Sequence, residues 1–564
     1  MILVWLLTTG LDLNGQISPF DPGVTGEAAI IRERVNAFTD RSLYITGEEI
    51  MFRATILTTG FPDRRDWSNV LYVELVSATG ESETRGKFRV RDHVSVGRIS
   101  VPGTVLTGNY FLKCYTRWMR NRDPSAFCFI PLRIVNPESP ELSAAAGREN
   151  NNMILPAGSF KEDMVEIRGG STVYERGDTV MLDLVVPGTQ GDAIVEGCIT
   201  VVPEEIKPMA QLSSEDYGTD ELRDFQLQFL PDLHGATLSG SVLNRDQDEQ
   251  GVNNVRVHFT LMGNQTGYFV ARSDAYGKFS VTLPEREGKL ELLVKPESVG
   301  DDGLEVRIDH DFDQRELSLP AVPFRLSEPE RKVATTMARK VQLRDIYSSG
   351  GSLPESRVPA NQLPFYGLPA FSLNMEDYVL LPTLEEVFIN LVPDVSPVIR
   401  KKRAFLSIDS ENPTLSMFEP LIMIDQVPFF NMEQFFSVPT ERISKIDVVN
   451  DIYLKGDLRF GGIVNVRTRE NDMAGIDLPD NAFFIDYTAF YPGPGERSGT
   501  VTENDQMPDT RNTLLWIPEL KVERGGLSPI TFTAPDYPGD YVVLYRGQDE
   551  QGEPVSVETR ITVR

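Results

Sequence analysis

Three cysteines and four histidines carry the most reactive side chains of the sequence, and their spacing limits the chemistry they can do. Three cysteines are too few for a disulfide framework, although one bridge between Cys114 and Cys128, which flank a hairpin-like segment, stays open. Cys198 lies in an apolar strand-like run, which favours a buried and unreactive thiol. The histidines are too scattered to predict a metal site, and we expect His258 at the surface or half-buried. They are His93, His234, His258 and His310.

The sequence contains no nucleophile elbow, no phosphate-binding loop and no His-Glu-x-x-His zinc motif. The acidic stretch from Asp309 to Asp313 lacks the glycine and the distal glutamate of an EF-hand loop, so we interpret it as a solvated turn. We therefore predict that the chain is not an enzyme, and we assign it no catalytic residue, metal or cofactor.

Two groups of residues are candidates for binding a partner. Trp118 and Arg120 stand in one short run, and these residue types dominate binding hot spots. The alternative is that Trp118 packs at the end of a sandwich while the neighbouring arginines extend to water. Four phenylalanines follow a strand-like run and suggest either a partner groove or core packing. They are Phe429, Phe430, Phe435 and Phe436.

The composition is that of a globular protein, with 40% hydrophobic and 24% charged residues in a chain of 564. This length exceeds what one hydrophobic core supports and predicts several domains. The formal charge of −28 at pH 7 repels nucleic acids and anionic lipid surfaces, so we expect neither as a partner. We interpret the charge as a means of keeping a large extracytoplasmic protein soluble.

The first sixteen residues begin with an apolar run and continue with small and polar residues, which is the pattern of a secretion signal. We therefore predict a signal peptide over residues 1–16 and export across the inner membrane, with a buried first strand as the alternative. No later run of eighteen apolar residues predicts a membrane span. The expected location of the mature chain is the periplasm, or the outer membrane through partners.

Apolar and polar residues alternate through most of the sequence, which predicts short strands with one buried face and one wetted face. Two helices stand out: one over Arg331–Tyr347, and a shorter one that begins with Thr383 as its cap and Glu386 three residues later. We predict a mainly β fold of tandem sandwiches plus one small α/β domain. The predicted boundaries are 28–136, 153–205 and 233–310 for sandwiches, 331–371 for a helix and linker, 372–470 for the α/β domain, and 480–564 for a C-terminal sandwich.

The segment Gly108–Asn121, with the pattern Gly-x-Tyr-x-x-x-x-Tyr-Thr-x-Trp-Met, resembles the macroglobulin-type domain of large Bacteroidetes envelope proteins. Residues 174–203 resemble a second, partial domain of this type, and residues 508–543 resemble the terminal sandwich of the same proteins. Macroglobulin protease traps carry an internal thioester in a Gly-Cys-Gly-Glu-Gln segment. Here Gly197 and Cys198 are followed by Ile-Thr-Val, so we do not expect a trap.

The segment Ser239–Leu293 resembles the carboxypeptidase regulatory, transthyretin-like domain, which carries no chemistry of its own. The resemblance rests on Gly-x-Val at Gly240 and on Ser-Asp-x-x-Gly-x-Phe from Ser273 to Phe279. The second motif predicts a tight hairpin in which Gly277 adopts a backbone angle that a β-carbon resists.

Three further segments resemble the plug domain of TonB-dependent outer-membrane receptors: Pro420–Pro428, Ile443–Val448 and Gly461–Thr468. The sequence departs from that family at Gln426, where a glycine is usual. Fewer than a hundred residues follow the plug-like segments, whereas a receptor barrel needs roughly 200 residues of strand. We therefore expect any barrel to be supplied by another chain.

These features predict a non-enzymatic binding or scaffold protein of the bacterial cell envelope, with a plug-like domain that docks to or occludes an outer-membrane β-barrel protein. Another envelope protein is the alternative partner. A glycan-binding accessory protein in polysaccharide uptake is the second hypothesis, because sandwiches often present exposed aromatic platforms. A hydrolase with an unrecognised site is the third.

Overall fold

The computed structural model describes residues 28–60, 67–139, 141–143, 164–187, 191–212, 225, 227–246, 250–262, 267–297, 303–317, 319–320, 323–348, 363–400, 403–455, 458–476, 478, 481–491, 509–549 and 552–564. The signal peptide predicted for residues 1–16 lies outside them. Within these residues the fold is mainly β and is built from several sheets, which confirms the predicted class. No helix in this part of the chain is long and apolar enough to cross a membrane.

The first sandwich contains eight strands: β1 (Arg32–Thr39), β2 (Leu43–Ile45), β3 (Glu49–Thr59), β4 (Val70–Ser77), β5 (Ser82–Arg89), β6 (Val94–Ser100), β7 (Gly108–Tyr115) and β8 (Cys128–Val135). One sheet has the order β1-β3-β6, and the other has the order β2-β8-β7-β4-β5. Cys114 and Cys128 lie opposite each other in β7 and β8, but both thiols are free and buried. The bridge that the sequence left open is therefore not formed in this structure.

Four strands of the second sandwich follow: β9 (Glu166–Gly169), β10 (Val173–Tyr174), β11 (Thr179–Val185) and β12 (Gly191–Pro203). The third sandwich begins after them with β13 (Thr237–Asn244), β14 (Gln250–Gly251), β15 (Arg256–Leu261), β16 (Gly267–Arg272), β17 (Lys278–Thr282), β18 (Lys289–Pro296) and β19 (Leu304–Ile308). In this sandwich β13 pairs with β14, β17 and β19 in one sheet, while β15 pairs with β16 and β18 in the other.

The turn from Asp274 to Gly277 corrects one prediction. Gly277 has a φ of 77°, and its N–H donates to the carbonyl of Asp274, as the tight turn requires. However, β16 pairs with β15 and β17 pairs with β13, so the turn passes from one sheet to the other. The predicted hairpin is wrong because a short turn fixes the local backbone direction but not the partner of each strand.

A long helix, α1 (Glu328–Ser348), confirms the predicted helix and extends it at the amino end. The α/β domain then contains β20 (Phe371–Asn374), α2 (Leu384–Leu391), β21 (Val395–Arg400), β22 (Arg403–Ile408), β23 (Leu421–Ile424), β24 (Val427–Pro428), α3 (Met432–Phe436), β25 (Ile443–Val449), β26 (Tyr453–Lys455), β27 (Leu458–Phe460) and β28 (Ile463–Thr468). Its main sheet has the order β20-β25-β28-β23-β24. Thr383 caps α2 by accepting from the N–H of Glu386, as predicted.

The last strands are β29 (Phe483–Thr488), β30 (Leu515–Arg524), β31 (Leu527–Thr533), β32 (Gly539–Gln548) and β33 (Pro554–Val563). Strand β29 pairs with β18 and so belongs to the third sandwich. Strands β30 and β32 flank β12, while β31 pairs with β11. The segments 153–205 and 480–564 were predicted as two sandwiches, but strands β9–β12 of the first and β30–β33 of the second hydrogen-bond to each other and form a single second sandwich.

Candidate functional site

The structure buries Trp118 instead of exposing it. A 3₁₀ turn, Trp118–Asn121, follows β7. It places the indole of Trp118 within a small apolar cluster, where the side chain is 1% exposed. Its Nε1–H donates to the carbonyl of Ile31 at 3.1 Å, and its ring meets that of Trp67 edge-on at 5.4 Å. In this chain the ring has no surface on which a partner can stack.

Arg117 and Arg120 join the first sandwich to the third. Arg117 donates to the carbonyl of Thr237 at 3.1 Å, and Arg120 donates to the carbonyls of His310 and Asp311 at 2.9 and 3.0 Å. Both side chains are buried, so neither extends to water as the alternative interpretation required. Their guanidinium groups therefore donate hydrogen bonds between two domains instead of facing solvent.

Two lysines of the first sandwich are buried in the same contact. The Nζ of Lys87 lies 2.6 Å from the carboxylate of Asp311, and burial lowers the pKa of this lysine despite that carboxylate. Lys113 lies 3.0 Å from the carboxylate of Glu74 and donates to the carbonyl of Asp313 at 3.2 Å. Charged groups buried this deeply are tolerated because each has a partner of opposite charge or a carbonyl.

Glu33 is a buried carboxyl at this junction whose pKa is strongly raised. Its side chain accepts hydrogen bonds from the hydroxyls of Ser68 and Thr116 and is buried. Burial raises the pKa of Glu33 to about 7, and the nearby charge of Asp232 adds to the rise. The two hydroxyls stabilise the ionised form by hydrogen bonding, but burial outweighs them and favours the protonated carboxyl.

Phe429 and Phe430 lie where the third sandwich meets the α/β domain. The buried ammonium of Lys295, in β18, donates to the carbonyl of Pro428 at 3.0 Å. It lies 4.8 Å from the ring centre of Phe429 and 5.3 Å from that of Phe430. Burial lowers the pKa of Lys295 to about 8. This arrangement holds two domains together within the chain.

His258 contributes to the same contact and is buried, whereas we predicted it at the surface or half-buried. Its Nδ1 lies 2.7 Å from the hydroxyl of Tyr268, and its ring lies 5.0 Å from that of Phe430. Burial lowers the pKa of His258 although Glu297 is 3.5 Å from Nε2. The prediction was wrong because strand alternation does not show that a second domain covers the outer face.

Phe435 and Phe436 belong to α3 and pack against Phe388 of α2. The ring of Phe435 is fully buried and lies 6.0 Å from that of Phe388, while Phe436 is half-buried at 6.4 Å. Asn431 caps α3 by accepting from the N–H groups of Glu433 and Gln434. These two rings serve the core of the α/β domain.

The surface of the α/β domain is the feature that sequence reasoning missed. Among the described residues, eighteen large apolar side chains are exposed, and ten of them lie between residues 363 and 454. They are Leu363, Leu368, Tyr378, Val379, Leu380, Ile389, Ile399, Phe405, Met417 and Leu454. Exposed large apolar side chains are thus more numerous on this domain than on any sandwich, which makes the domain the candidate for an interaction with a partner. The three consecutive apolar residues from 378 to 380 were the available sequence signal.

Chemically reactive groups do not assemble elsewhere in the described residues. No group of three or more histidine, cysteine or acidic side chains is arranged there to hold a metal ion. Burial raises the pKa of the thiols of Cys128 and Cys198, to about 12 and about 11, so both stay protonated at neutral pH. Protonated, buried thiols of this kind contribute to packing and do not act as nucleophiles.

Replacing Thr260 with valine tests whether the contact of the third sandwich with the α/β domain holds as described. The buried hydroxyl of Thr260 donates to the carbonyl of Gln426 at 3.1 Å, and removing this bond costs about 1 kcal/mol. We expect faster hydrogen exchange at residues 426–430 and a lower urea midpoint. The exposed Thr282, replaced in the same way, is the control and should leave both unchanged. Unaltered exchange in Thr260→Val would contradict the contact.

No protein-family model matches this sequence, and neither does any curated protein. Among solved structures, Salmonella α2-macroglobulin reacted with methylamine aligns at 9% identity over 94% of this chain and 39% of that chain, with a TM-score of 0.22. Native Escherichia coli α2-macroglobulin aligns at 9% identity over 94% and 40%, with a TM-score of 0.23. A tetra-tandem repeat from the extending region of a large adhesion protein aligns at 9% identity over 94% and 100%, with a TM-score of 0.13. The chain spans about two fifths of the length of the macroglobulins, and alignments with such TM-scores carry no conclusion about its function.

Proposed function

We propose that this chain is a non-enzymatic scaffold of the bacterial cell envelope whose α/β domain docks with a partner protein. The observation that carries the proposal is the exposed apolar surface of residues 363–454, which holds ten of the eighteen exposed large apolar side chains. Exposed apolar groups gain free energy when a partner removes them from water. The three sandwiches show no comparable concentration in the part of the chain that is described.

The buried contacts between domains support this role, because they fix the position of the α/β domain relative to the sandwiches. The third sandwich holds the α/β domain through Lys295 and Thr260. The first sandwich holds the third through Arg117 and Arg120. A binding surface on a rigid support loses less conformational entropy on association than one on a flexible tether.

The partner that we propose is an outer-membrane β-barrel protein, with the chain exported across the inner membrane and held at the outer membrane through that partner. The resemblance of residues 420–468 to receptor plug domains supports this choice. The glycan hypothesis requires exposed aromatic platforms. The described tryptophans, Trp67, Trp118 and Trp516, are buried or half-buried, and the exposed aromatic rings are tyrosines and phenylalanines, among them Tyr276 and Phe484. Because the resemblance to plug domains favours a protein partner, we do not propose a glycan-binding function.

Affinity capture combined with cross-linking tests the proposal. Tagged full-length protein is recovered from envelope extracts in mild detergent, cross-linked, and analysed by mass spectrometry. We expect one β-barrel protein in about equimolar amount, with its cross-links concentrated in residues 363–476, since the apolar surface lies there. A matched variant with serine at Met181 and Leu527, which are exposed on the second sandwich, should capture the same amount.

Two outcomes would overturn the proposal. One is the recovery of no equimolar barrel protein by the wild-type chain. The other is a captured barrel whose cross-links concentrate in the sandwiches, because the docking surface would then lie outside the α/β domain.

A further inference from the structure

Three consecutive large apolar side chains lie exposed just before α2. Tyr378 is 49% exposed, Val379 is 85% exposed and Leu380 is 52% exposed. A run of this kind in a folded domain is unfavourable in water unless another surface covers it. Together with the neighbouring carboxylates of Asp377, Glu385 and Glu386, it forms a surface that we name the acidic ledge.

The backbone of the acidic ledge is fixed at both ends. On one side the N–H of Tyr378 donates to the carbonyl of Met375, which is buried. On the other side the hydroxyl of Thr440 donates to the carbonyl of Leu381 at 2.7 Å. The three apolar side chains are therefore presented by an anchored segment and not by a free end.

The backbone between these anchors is open to a partner. Neither Val379 nor Leu380 makes a backbone hydrogen bond to another residue that the structure describes. An extended partner segment can use these groups as well as the side chains, since main-chain hydrogen bonds add affinity while side chains add specificity.

The charge on both sides of the apolar run indicates the chemistry of the partner. Asp377, Glu385 and Glu386 are exposed, and none forms an ion pair with a described residue. Glu385 and Ile389 are four residues apart in α2, so an acidic and an apolar side chain lie on the same side of the helix. Glu376 differs, because Arg469 lies 2.8 Å from its carboxylate. A partner that covers the ledge must bring basic groups next to apolar ones.

We infer that the acidic ledge binds a segment of a partner protein in which basic and apolar residues alternate. This inference rests on the proposed function, since it names the contact and the chemistry of the partner for the same domain. Apolar contact supplies affinity, and the carboxylates select basic segments and speed their approach. A lipid surface is disfavoured because the ledge is acidic and anionic headgroups repel it.

Binding of synthetic peptides to the full-length chain tests the inference by fluorescence anisotropy. The probes are labelled eight-residue peptides of alternating Lys-Leu, Lys-Ser and Glu-Leu. We expect the Lys-Leu peptide to bind at least tenfold more tightly than either of the others. A variant with serine at Tyr378, Val379 and Leu380 should lose about tenfold in affinity for it, and so should Asp377→Asn combined with Glu385→Gln and Glu386→Gln.

A matched control separates the ledge from the general negative charge of the chain. Neutralising Glu141, Glu291 and Glu519, which are exposed on other parts of the protein, makes the same change in net charge and should leave Lys-Leu binding unchanged. Equal loss in this control would overturn the inference, and so would equal binding of the Lys-Ser peptide. Urea midpoints equal to the wild type show that the variants are folded.

Two further arms complete the test. Binding to vesicles of phosphatidylcholine and phosphatidylglycerol that is lost with the apolar substitutions would assign the ledge to lipid and overturn the inference. Capture of a barrel protein is then repeated with the ledge variants. Undiminished capture contradicts the inference but leaves the proposed function intact. Absence of capture by the wild type, with the Lys-Leu peptide still bound at the ledge, contradicts only the proposed function.

Discussion

Replacing Trp118 with alanine is expected to lower the free energy of unfolding by about 3–5 kcal/mol, because the change removes a large side chain that is 1% exposed. The loss has three physical parts. The indole leaves a cavity beside Trp67 and Ile31, the edge-on contact with Trp67 disappears, and the carbonyl of Ile31 loses a donor.

The measurement is chemical unfolding followed by circular dichroism, since fluorescence would change with the loss of a tryptophan. A chain of several domains need not unfold in one step, so the relevant quantity is the midpoint of the transition that includes the first sandwich. Tyr276→Ala, at a position 49% exposed on the third sandwich, is the matched control and should change the free energy by less than about 0.5 kcal/mol. Equal midpoints for both variants would show that Trp118 does not hold this cluster together.

The local patterns of the sequence predicted local structure well. The cap of α2 at Thr383, the turn at Asp274–Gly277 and the long helix α1 each depend on residues close together in the chain. Pairing between distant strands could not be predicted in this way. Val201 of β12 pairs with Leu515 of β30, and no local preference links positions so far apart. For this reason the sequence patterns predict two sandwiches, at 153–205 and 480–564, where the structure has one.

Burial between domains explains the other errors. Alternation along β7 predicted one wetted face, yet both faces are buried because the segment that follows β19 covers the side chain of Lys113. Lys113 on that strand consequently lies in a contact between domains instead of in water. His258 is buried for the same reason, through the α/β domain. A sequence pattern records which residues tolerate burial, but the docking of a second domain depends on the whole fold.

For the candidate binding residues, the residue type alone does not distinguish a position in the core from one in an interface. Tryptophan and phenylalanine occur both in cores and in interfaces, so their types alone could not place Trp118 or Phe435. Conversely, an apolar run such as Tyr378–Leu380 is typical of a core, yet the structure exposes all three side chains.

The second large effect is expected from pH, through Glu33. Burial raises the folded-state pKa of this carboxyl to about 7 from an ordinary value of 4.5. Between these pH values the folded chain holds a proton on Glu33 that the unfolded chain releases. The free energy of unfolding therefore contains a contribution that is fully present below pH 4.5 and is lost as the pH rises to about 7. Its size is about 3 kcal/mol, from about 1.4 kcal/mol for each pKa unit.

Replacing Glu33 with glutamine should remove this pH dependence. The amide oxygen can still accept from the hydroxyls of Ser68 and Thr116, and an amide carries no charge to be desolvated. We expect the variant to be more stable than the wild type at pH 8 by roughly 1–3 kcal/mol and about equally stable at pH 4.5. The measurement is urea unfolding at intervals of half a pH unit between 4.5 and 8.

Glu519→Gln is the control, because Glu519 is exposed on the second sandwich and lies outside the junction. It should keep the wild-type pH profile. A profile for Glu33→Gln that runs parallel to that of the wild type would mean that Glu33 is ionised in the folded chain near neutral pH. The junction of the first and third sandwiches would then hold a buried negative charge, which the hydroxyls of Ser68 and Thr116 would stabilise by donating hydrogen bonds to it.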